Sequence, residues 1–191
     1  MTATAPKFIG IAGRKRSGKD TAAIMLPREY RKLSFAKPIK AMLRTLLSTR
    51  GADHELIERM MEGDLKEITS PLFGGHTPRH AMQTLGTEWG RQCIHGSLWV
   101  DTALTEALAT GECYVIPDVR FHNECNAIKA IGGVVIRVER PGRPIGVLED
   151  HASEQEIDEL DVDHVLVNDA DTALGFEQVA AAFFREKLNI H

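Results

Sequence analysis

Short apolar runs alternate with amphipathic segments along the chain, and this alternation predicts an α/β fold. Residues 7–12 form an apolar run that ends in a glycine-rich turn, as is typical of a buried parallel strand. Residues 113–116, 133–138 and 164–167 have the same character, and a short strand over residues 33–35 is also expected. We therefore predict a mostly parallel sheet flanked by helices, with ligands beyond the carboxyl ends of its strands.

Helical patterns occupy most of the remaining chain. The pattern over residues 123–131 lies between two predicted strands and stops at a pair of glycines, so it completes a βαβ unit. Another helical pattern covers residues 172–188. Residues 37–110 contain almost no strand signal, and we interpret them as a helical insertion within one domain of residues 1–191.

Composition narrows the class of protein. The chain has 191 residues, 43% hydrophobic and 26% charged, which fits one globular domain. Its net charge of -4 argues against general attraction to nucleic acid or anionic membranes, so we expect no direct binding to either. Three cysteines without C-x-x-C spacing predict reduced thiols. No signal-peptide pattern is visible, so we expect a cytoplasmic protein, and both a monomer and a homodimer fit the sequence.

The most specific motif follows the first predicted strand. Residues 13–21, GRKRSGKDT, match the phosphate loop G-x-x-x-x-G-K, and a helical pattern follows them. Glycines allow successive backbone N–H groups to surround phosphate oxygens, and Lys19 can reach the β- and γ-phosphates. We therefore predict an ATP site formed by Gly13, Arg14, Lys15, Arg16, Ser17, Gly18, Lys19, Asp20 and Thr21.

An aspartate stands where such loops usually have a hydroxyl residue after the lysine. Asp20 either holds Mg²⁺, directly or through water, while Thr21 supplies the hydroxyl, or it only interacts with the helix N-terminus. We expect Mg²⁺ to bind together with ATP, with Asp20 and Thr21 as candidate ligands.

A second group of charged residues follows the strand run at residues 113–116. Pro117 cannot donate to a sheet ladder, so we expect the strand to end there and Asp118 and Arg120 to project on the same side. Asp118 suits Mg²⁺ or the orientation of an acceptor, and Arg120 suits phosphate; a structural ion pair is the alternative. Together with Lys19, these two residues are candidate catalytic residues.

A polar helix face is predicted within the insertion. Thr77 is a credible N-cap, and the helix should run from Pro78 towards Cys93. Arginine can hold a phosphate and glutamine can bind the edge of a base, unless the face is simply solvated. The side chains that recur every four residues on this face are Arg79, Gln83, Thr87 and Arg91.

Six segments together resemble the deoxynucleoside monophosphate kinases of tailed phages, within the P-loop nucleoside monophosphate kinase family. The segments are residues 13–21, 34–40 (SFAKPIK), 83–91 (QTLGTEWGR), 98–100 (LWV), 115–124 (VIPDVRFHNE) and 151–154 (HASE). They extend over almost the whole chain, and an aspartate after the loop lysine is usual in this family. The resemblance implies a P-loop kinase fold and transfer of the γ-phosphoryl group of ATP to a deoxynucleoside monophosphate (dNMP).

Two other hypotheses remain open at this point. Animal-type phosphomevalonate kinases are similar in the loop, which ends in Ser-Gly-Lys-Asp, and in an Asp-x-Arg element. A regulatory switch or ATPase is the third hypothesis, but no N-K-x-D element is present.

The family resemblance also implies a lid and further acceptor contacts. Residues 139–155 contain a stiff basic turn where nucleotide kinases carry a lid, so Arg140 and Arg143 are candidate catalytic residues. Glu154 either contacts the acceptor or caps a helix. The remaining acceptor candidates, each with a core or solvated alternative, are Phe35, Lys37, Lys40 and Trp99.

Overall fold

Five parallel strands form one sheet within residues 4–141 and 157–190, which are the residues that the structure, a computed structural model, describes. The sheet has the order β2-β3-β1-β4-β5. Its strands are β1 Phe8–Ala12, β2 Tyr30–Lys32, β3 Cys113–Val119, β4 Val134–Glu139 and β5 His164–Val167. The predicted α/β fold with a parallel sheet is therefore confirmed. The expected strand at residues 33–35 is wrong in position, because β2 precedes it and the backbone of Leu33 makes one further hydrogen bond to Val115.

Seven α-helices with both ends described, three shorter or wider helical segments and helical residues 157–159 are present in the described part of the chain. The α-helices are α1 Lys19–Ile24, α2 Lys37–Thr49, α3 His54–Met61, α4 Pro78–Thr84, α5 Leu98–Thr110, α6 His122–Ala130 and α7 Ala173–Leu188. Two 3₁₀ turns cover Asp64–Glu67 and Pro71–Phe73, and a π-helix covers Leu85–Ile94. Among the described residues, no helix has the length and apolar character needed to cross a membrane.

The chain separates into a sheet unit, Met1–Ser34 with Ala107–His191, and a helical unit, Phe35–Glu106. All five residues of β1 are buried, and the core of the sheet unit includes Ile9, Ile136 and Phe184. The helical unit has its own core, which includes Leu47, Met61 and Trp99.

The strand β3 continues past Pro117, so the prediction that this proline ends the strand is wrong. Gly10 pairs with Ile116, whereas Ala12 pairs with Val119, so β3 contains one extra residue at this point. Such a bulge leaves one residue out of the ladder, which accommodates a residue without an N–H group. Asp118 therefore lies within the last part of β3, where it is exposed while Val119 is buried.

The strand registers bring several loops to one edge of the sheet. Ala12 pairs with Val119 on one side and with Arg137 on the other, and Glu139 pairs with Val167. The carboxyl ends of β1, β3, β4 and β5 therefore meet at the same edge, where ligands of open parallel sheets bind.

Candidate active site

The loop between β1 and α1 has an unusual backbone. Arg16 has a φ of 64° and Gly18 a φ of 106°, and the N–H group of Ser17 donates to the Arg14 carbonyl at 3.1 Å. A Cβ atom at position 18 would lie 2.6 Å from Nδ2 of Asn168 and 2.8 Å from Cε1 of Phe176. Glycine is therefore required here both by the torsion angle and by the close approach.

Lys19 is the first residue of α1, and its exposed fraction is only 9%. Among the described residues, no carboxylate forms an ion pair with Lys19. An ammonium group that lies beside a phosphate loop and has no carboxylate partner favours an anionic ligand. Asp20 is exposed and Thr21 is half-buried beside it, whereas the Arg14 guanidinium pairs with the Asp158 carboxylate.

A cleft of ≈ 330 Å³ lies next to this loop. Its size is within the range of small-molecule sites. The cleft has an apolar wall at Phe176 and charged groups near the loop. Its lining residues include Arg16, Lys19, Asp20, Thr21, Arg140, Asn168, Thr172 and Phe176. The structure thus brings the predicted Arg140, which is exposed directly after β4, to the same cleft as the phosphate loop.

The end of β3 contains an ion pair. Nε of Arg120 donates to Oδ1 of Asp118 at 2.9 Å, and the two side chains are 34% and 54% exposed. The buried Glu124 carboxylate accepts from the backbone N–H groups of Arg120 at 2.8 Å and Phe121 at 3.3 Å. Glu124 therefore fixes the turn into α6. Glu124 belongs to the VIPDVRFHNE segment, but the sequence did not predict this role, because the role depends on the burial of its side chain.

The predicted helix from Pro78 towards Cys93 is present, but its type changes along its length. It is α4 up to Thr84 and a π-helix from Leu85 to Ile94. The reason lies in Trp99, whose Nε1 donates to the Gly86 carbonyl at 2.8 Å, and whose ring lies against Gly90. An indole inserted against these glycines favours the wider turn.

The wider turn affects the predicted polar face. In an α-helix, side chains four residues apart are rotated by about 40° more than one full turn, so their face drifts around the helix. The wider π-helical turn holds more residues and offsets this drift. Arg79, Gln83 and Thr87 are exposed, and Arg91 is half-buried. The face therefore remains continuous across the change of helix type.

Two aromatic candidates are buried. Trp99 is 3% exposed and Phe35 6% exposed, so neither ring is available to stack on a base in this arrangement, and Trp99 is instead an anchor of the helical core. Trp89 is 41% exposed, with its ring centroid 6.0 Å from that of Trp99. Sequence reasoning did not single out Trp89, although it lies in the QTLGTEWGR segment.

Cations and carboxylates alternate on the surface of the helical unit. Nζ of Lys40 lies 2.7 Å from Oε2 of Glu62, Arg79 pairs with Glu67, and Lys37 pairs with Glu106. Three of the predicted acceptor cations, Lys37, Lys40 and Arg79, therefore have carboxylate partners within the unit.

Lys66 belongs to the same surface and was missed by sequence reasoning. Burial, and then the positive charges of Lys40 and Arg79, lower the pKa of Lys66 below its ordinary value. Its ammonium group forms no ion pair with any carboxylate in the described part of the chain. No sequence motif marks Lys66, because its neighbours come from α2 and α4.

Some predicted site residues lie outside the described part of the chain, and the aspartates predicted to bind Mg²⁺ do not belong to a group of three acidic, His or Cys side chains within it. Arg143, Glu154 and the lid segment beyond residue 141 are not among the described residues. Within residues 4–141 and 157–190, no group of three or more His, Cys, Asp or Glu side chains could hold a metal ion.

Comparison with known proteins identifies the family. The family model described as "Deoxynucleotide monophosphate kinase" matches residues 7–69 and 67–174. A "Putative deoxynucleotide monophosphate kinase" of Acanthamoeba polyphaga mimivirus is 34% identical over 179 residues, which cover 84% of this chain and 88% of that protein. The "Deoxynucleotide monophosphate kinase" of Enterobacteria phage T4 is 30% identical over an alignment of 225 residues, gaps included, which covers 85% of this chain and 92% of that protein. The dephospho-CoA kinase from Campylobacter jejuni is 13% identical with a TM-score of 0.49, over 96% of this chain and 98% of that one. The resemblance inferred from the motifs is confirmed: the chain belongs to the deoxynucleotide monophosphate kinase family.

Proposed function

We propose that the protein transfers the γ-phosphoryl group of ATP to the phosphate of a dNMP, giving ADP and a deoxynucleoside diphosphate. The observation that carries this proposal is Lys19, a cation directly after a phosphate loop, which lines the adjoining cleft and has no carboxylate partner among the described residues. The phosphates of ATP would supply the missing negative charge. Membership of the family supports a dNMP as the acceptor.

ATP would bind along the phosphate loop and the cleft beside it. Backbone N–H groups of residues 13–21 would surround the phosphates, as in other glycine-rich loops that precede a helix. The cleft offers an apolar wall at Phe176 and polar groups at Thr172 and Arg140, a combination that suits a nucleoside.

Mg²⁺ would accompany ATP in this proposal. Asp20, Thr21 and Asp118 offer the oxygen atoms that Mg²⁺ prefers, and the two aspartates are exposed at the carboxyl edge of the sheet. Mg²⁺ keeps several waters and phosphate oxygens as ligands, so one or two carboxylates are sufficient. Bound to ATP, the ion would neutralise charge on the phosphates.

The protein's cations would stabilise the transferring group. Phosphoryl transfer needs positive charge around the equatorial oxygens and little covalent help. Lys19 and Arg140 line one cleft, and Arg120 lies at the same sheet edge. Arg143, three residues after Arg140, would belong to the proposed lid over residues 139–155 and act with it.

The helical unit would bind the acceptor. Gln83 and Thr87 are exposed on its polar face and would bind the base, while Arg79 or Arg91 would hold the phosphate. Lys37, Lys40 and Arg79 are paired with carboxylates, so an arriving phosphate would replace Glu106, Glu62 or Glu67 as the partner. We propose the cytoplasm of a host cell as the location, on the basis of the phage and virus relatives.

The direct test measures ADP release from ATP with each dNMP, each ribonucleoside monophosphate and phosphomevalonate. We expect strong dependence on a dNMP. Turnover that needs no acceptor, or that needs phosphomevalonate, would overturn the proposal.

Lys19→Ala tests the phosphate loop itself. We expect almost complete loss of turnover with an unchanged thermal unfolding curve, because removal of a preorganised charge at the transferring phosphate costs about 10²–10³ in rate. The matched control is Lys187→Ala, at an exposed position near the end of α7, which should keep full activity. Near-normal activity of folded Lys19→Ala would refute the assignment of the loop.

A further inference from the structure

Asn168 connects the end of β5 to the phosphate loop through a buried hydrogen bond. Its Nδ2 donates to the carbonyl oxygen of Ser17 at 2.7 Å across a separation of 151 residues. Its own backbone N–H donates to the Glu139 carbonyl at 2.7 Å and so continues the ladder between β4 and β5. With 4% of its surface exposed, the side chain is fixed both by the sheet and by its packing.

The bonded carbonyl controls the direction of a neighbouring donor. The C=O group of Ser17 and the N–H group of Gly18 belong to one planar peptide unit, and in a trans peptide they point in opposite directions. Gly18 has few steric limits on its torsion angles, so this peptide would rotate without a fixed partner. A hydrogen bond that holds the Ser17 carbonyl towards β5 therefore directs the Gly18 N–H group to the opposite side.

The side-chain amide of Asn168 lowers the stability of the fold compared with an apolar side chain of similar size. Its Oδ1 is buried and has no hydrogen-bond partner among the described residues. A buried polar atom without a partner lowers stability, and an apolar residue of similar size would avoid that cost. The group that Asn168 adds over an apolar residue is the donor that faces the loop.

We propose that Asn168 is a positioning residue for the kinase reaction, which holds the Ser17–Gly18 peptide so that the Gly18 N–H group faces the phosphates of ATP. This inference rests on the proposed function, because it assumes that the loop binds ATP. Asn168 belongs to the sheet unit, as the phosphate loop does, so its loss should affect ATP and leave the acceptor site unchanged.

Asn168→Asp tests the donor with little change in shape. An ionised carboxylate cannot donate and repels the Ser17 carbonyl, whereas a protonated carboxyl group can donate to it. Burial raises the pKa of a carboxyl group above its ordinary value of about 3.9. We expect at least a tenfold loss of ATP affinity at pH 8, measured by calorimetry, and recovery of most of it as the pH falls towards 5.

Three comparisons isolate this effect. Asn168→Ala should lose ATP affinity at every pH without recovery, because it has no donor in either state. Asn126→Asp adds the same charge at an exposed position of α6 and should behave like the parent. The charged groups that line the cleft beside Asn168 are Arg16, Lys19, Asp20 and Arg140, and the parent titrated over the same range accounts for them.

The steady-state result should be a rise in KM for ATP with KM for the dNMP within twofold of the parent. ATP affinity within twofold of the parent in both variants at pH 8 would refute the inference, as would a parallel rise of both KM values. If Asn168→Asp does not fold, the KM for ATP and the KM for the dNMP measured on Asn168→Ala test the inference in the same way. A parent that binds no ATP would instead refute the proposed function, so the two failures are distinguishable.

Discussion

A methyl group at Gly90 would collide with the ring of Trp99, so Gly90→Ala measures how tightly the helical unit is packed. The added Cβ would lie 2.5 Å from Cε2 of Trp99 and closer still to Cζ2 and Nε1. An ordinary contact needs 3.4 Å or more, so the ring must move by roughly 1 Å in a core that is close-packed. Trp99 can move little, because it is buried and its Nε1 donates to the Gly86 carbonyl.

The expected cost follows from these distances. Overpacking of a filled core costs about 1–3 kcal/mol. The better helix propensity of alanine offsets up to about 1 kcal/mol of that cost. We therefore expect a net loss of roughly 1–2 kcal/mol, which lowers Tm by roughly 2–8 °C in a chain of this length.

The same substitution should weaken binding of the acceptor. The π-helix carries Arg91 and Thr87, so a displaced Trp99 disturbs their alignment and should raise KM for the dNMP. KM for ATP should stay within twofold, because the phosphate loop belongs to the other unit. Thermal unfolding by circular dichroism and steady-state kinetics with each substrate varied measure the two effects.

Two controls show whether the collision is the cause. Gly96→Ala adds the same methyl group where nothing lies within 4 Å, so it should be neutral. Trp99→Leu creates space, and adding Gly90→Ala to it should cost less than Gly90→Ala costs in the parent. If Gly90→Ala unfolds at the same temperature as Gly96→Ala and keeps the parent's KM for the dNMP, the reasoning about this contact is refuted.

Two further predictions concern single cations. Lys66→Met should raise the free energy of unfolding at pH 7, measured by chemical denaturation. The pKa of Lys66 is depressed in the folded state, so its charge opposes folding at neutral pH. The stability difference between Lys66→Met and the parent should therefore narrow as the pH rises through the folded pKa towards 10.5. Equal stability of the two proteins at pH 7 would contradict this prediction. Arg140→Ala should lower kcat at least roughly a hundredfold with ATP affinity nearly unchanged, and Arg140→Lys should recover only part, because the contact belongs to the transition state. A kcat within a few-fold of the parent would remove Arg140 from the catalytic residues.

Local patterns predicted much of this molecule, and contacts between distant segments account for what they did not predict. The phosphate loop is a contiguous motif, so its residues and the strand before it could be read directly. The π-helix could not, because it depends on Trp99 reaching Gly86 and Gly90 from a following helix. Arg143 and Glu154 stay predictions, since they lie outside the described residues.

The remaining omissions have the same physical origin. Lys66 is distinguished by the charges around it, and Asn168 by a hydrogen bond to Ser17 across 151 residues. Neither residue has a neighbour in sequence that would mark it. Residue type and spacing therefore predict which residues would bind phosphate, but not the groups that would hold those residues in place.

The extra residue in β3 makes chain length, rather than side-chain identity, decide which way Asp118 faces. Successive residues of a strand face opposite sides of the sheet, so one inserted residue shifts the alternation by half a period for everything that follows. Ala12 is level with Val119 because of that shift; without it, Ala12 would be level with Asp118, whose carboxylate would point into the space that Val119 now fills. Loss of one residue between Ile116 and Val119, by contrast, would remove the bulge and leave Ala12 level with Val119. The extra residue in β3 therefore determines whether the valine or the acid lies beside Ala12, and neither side chain decides it.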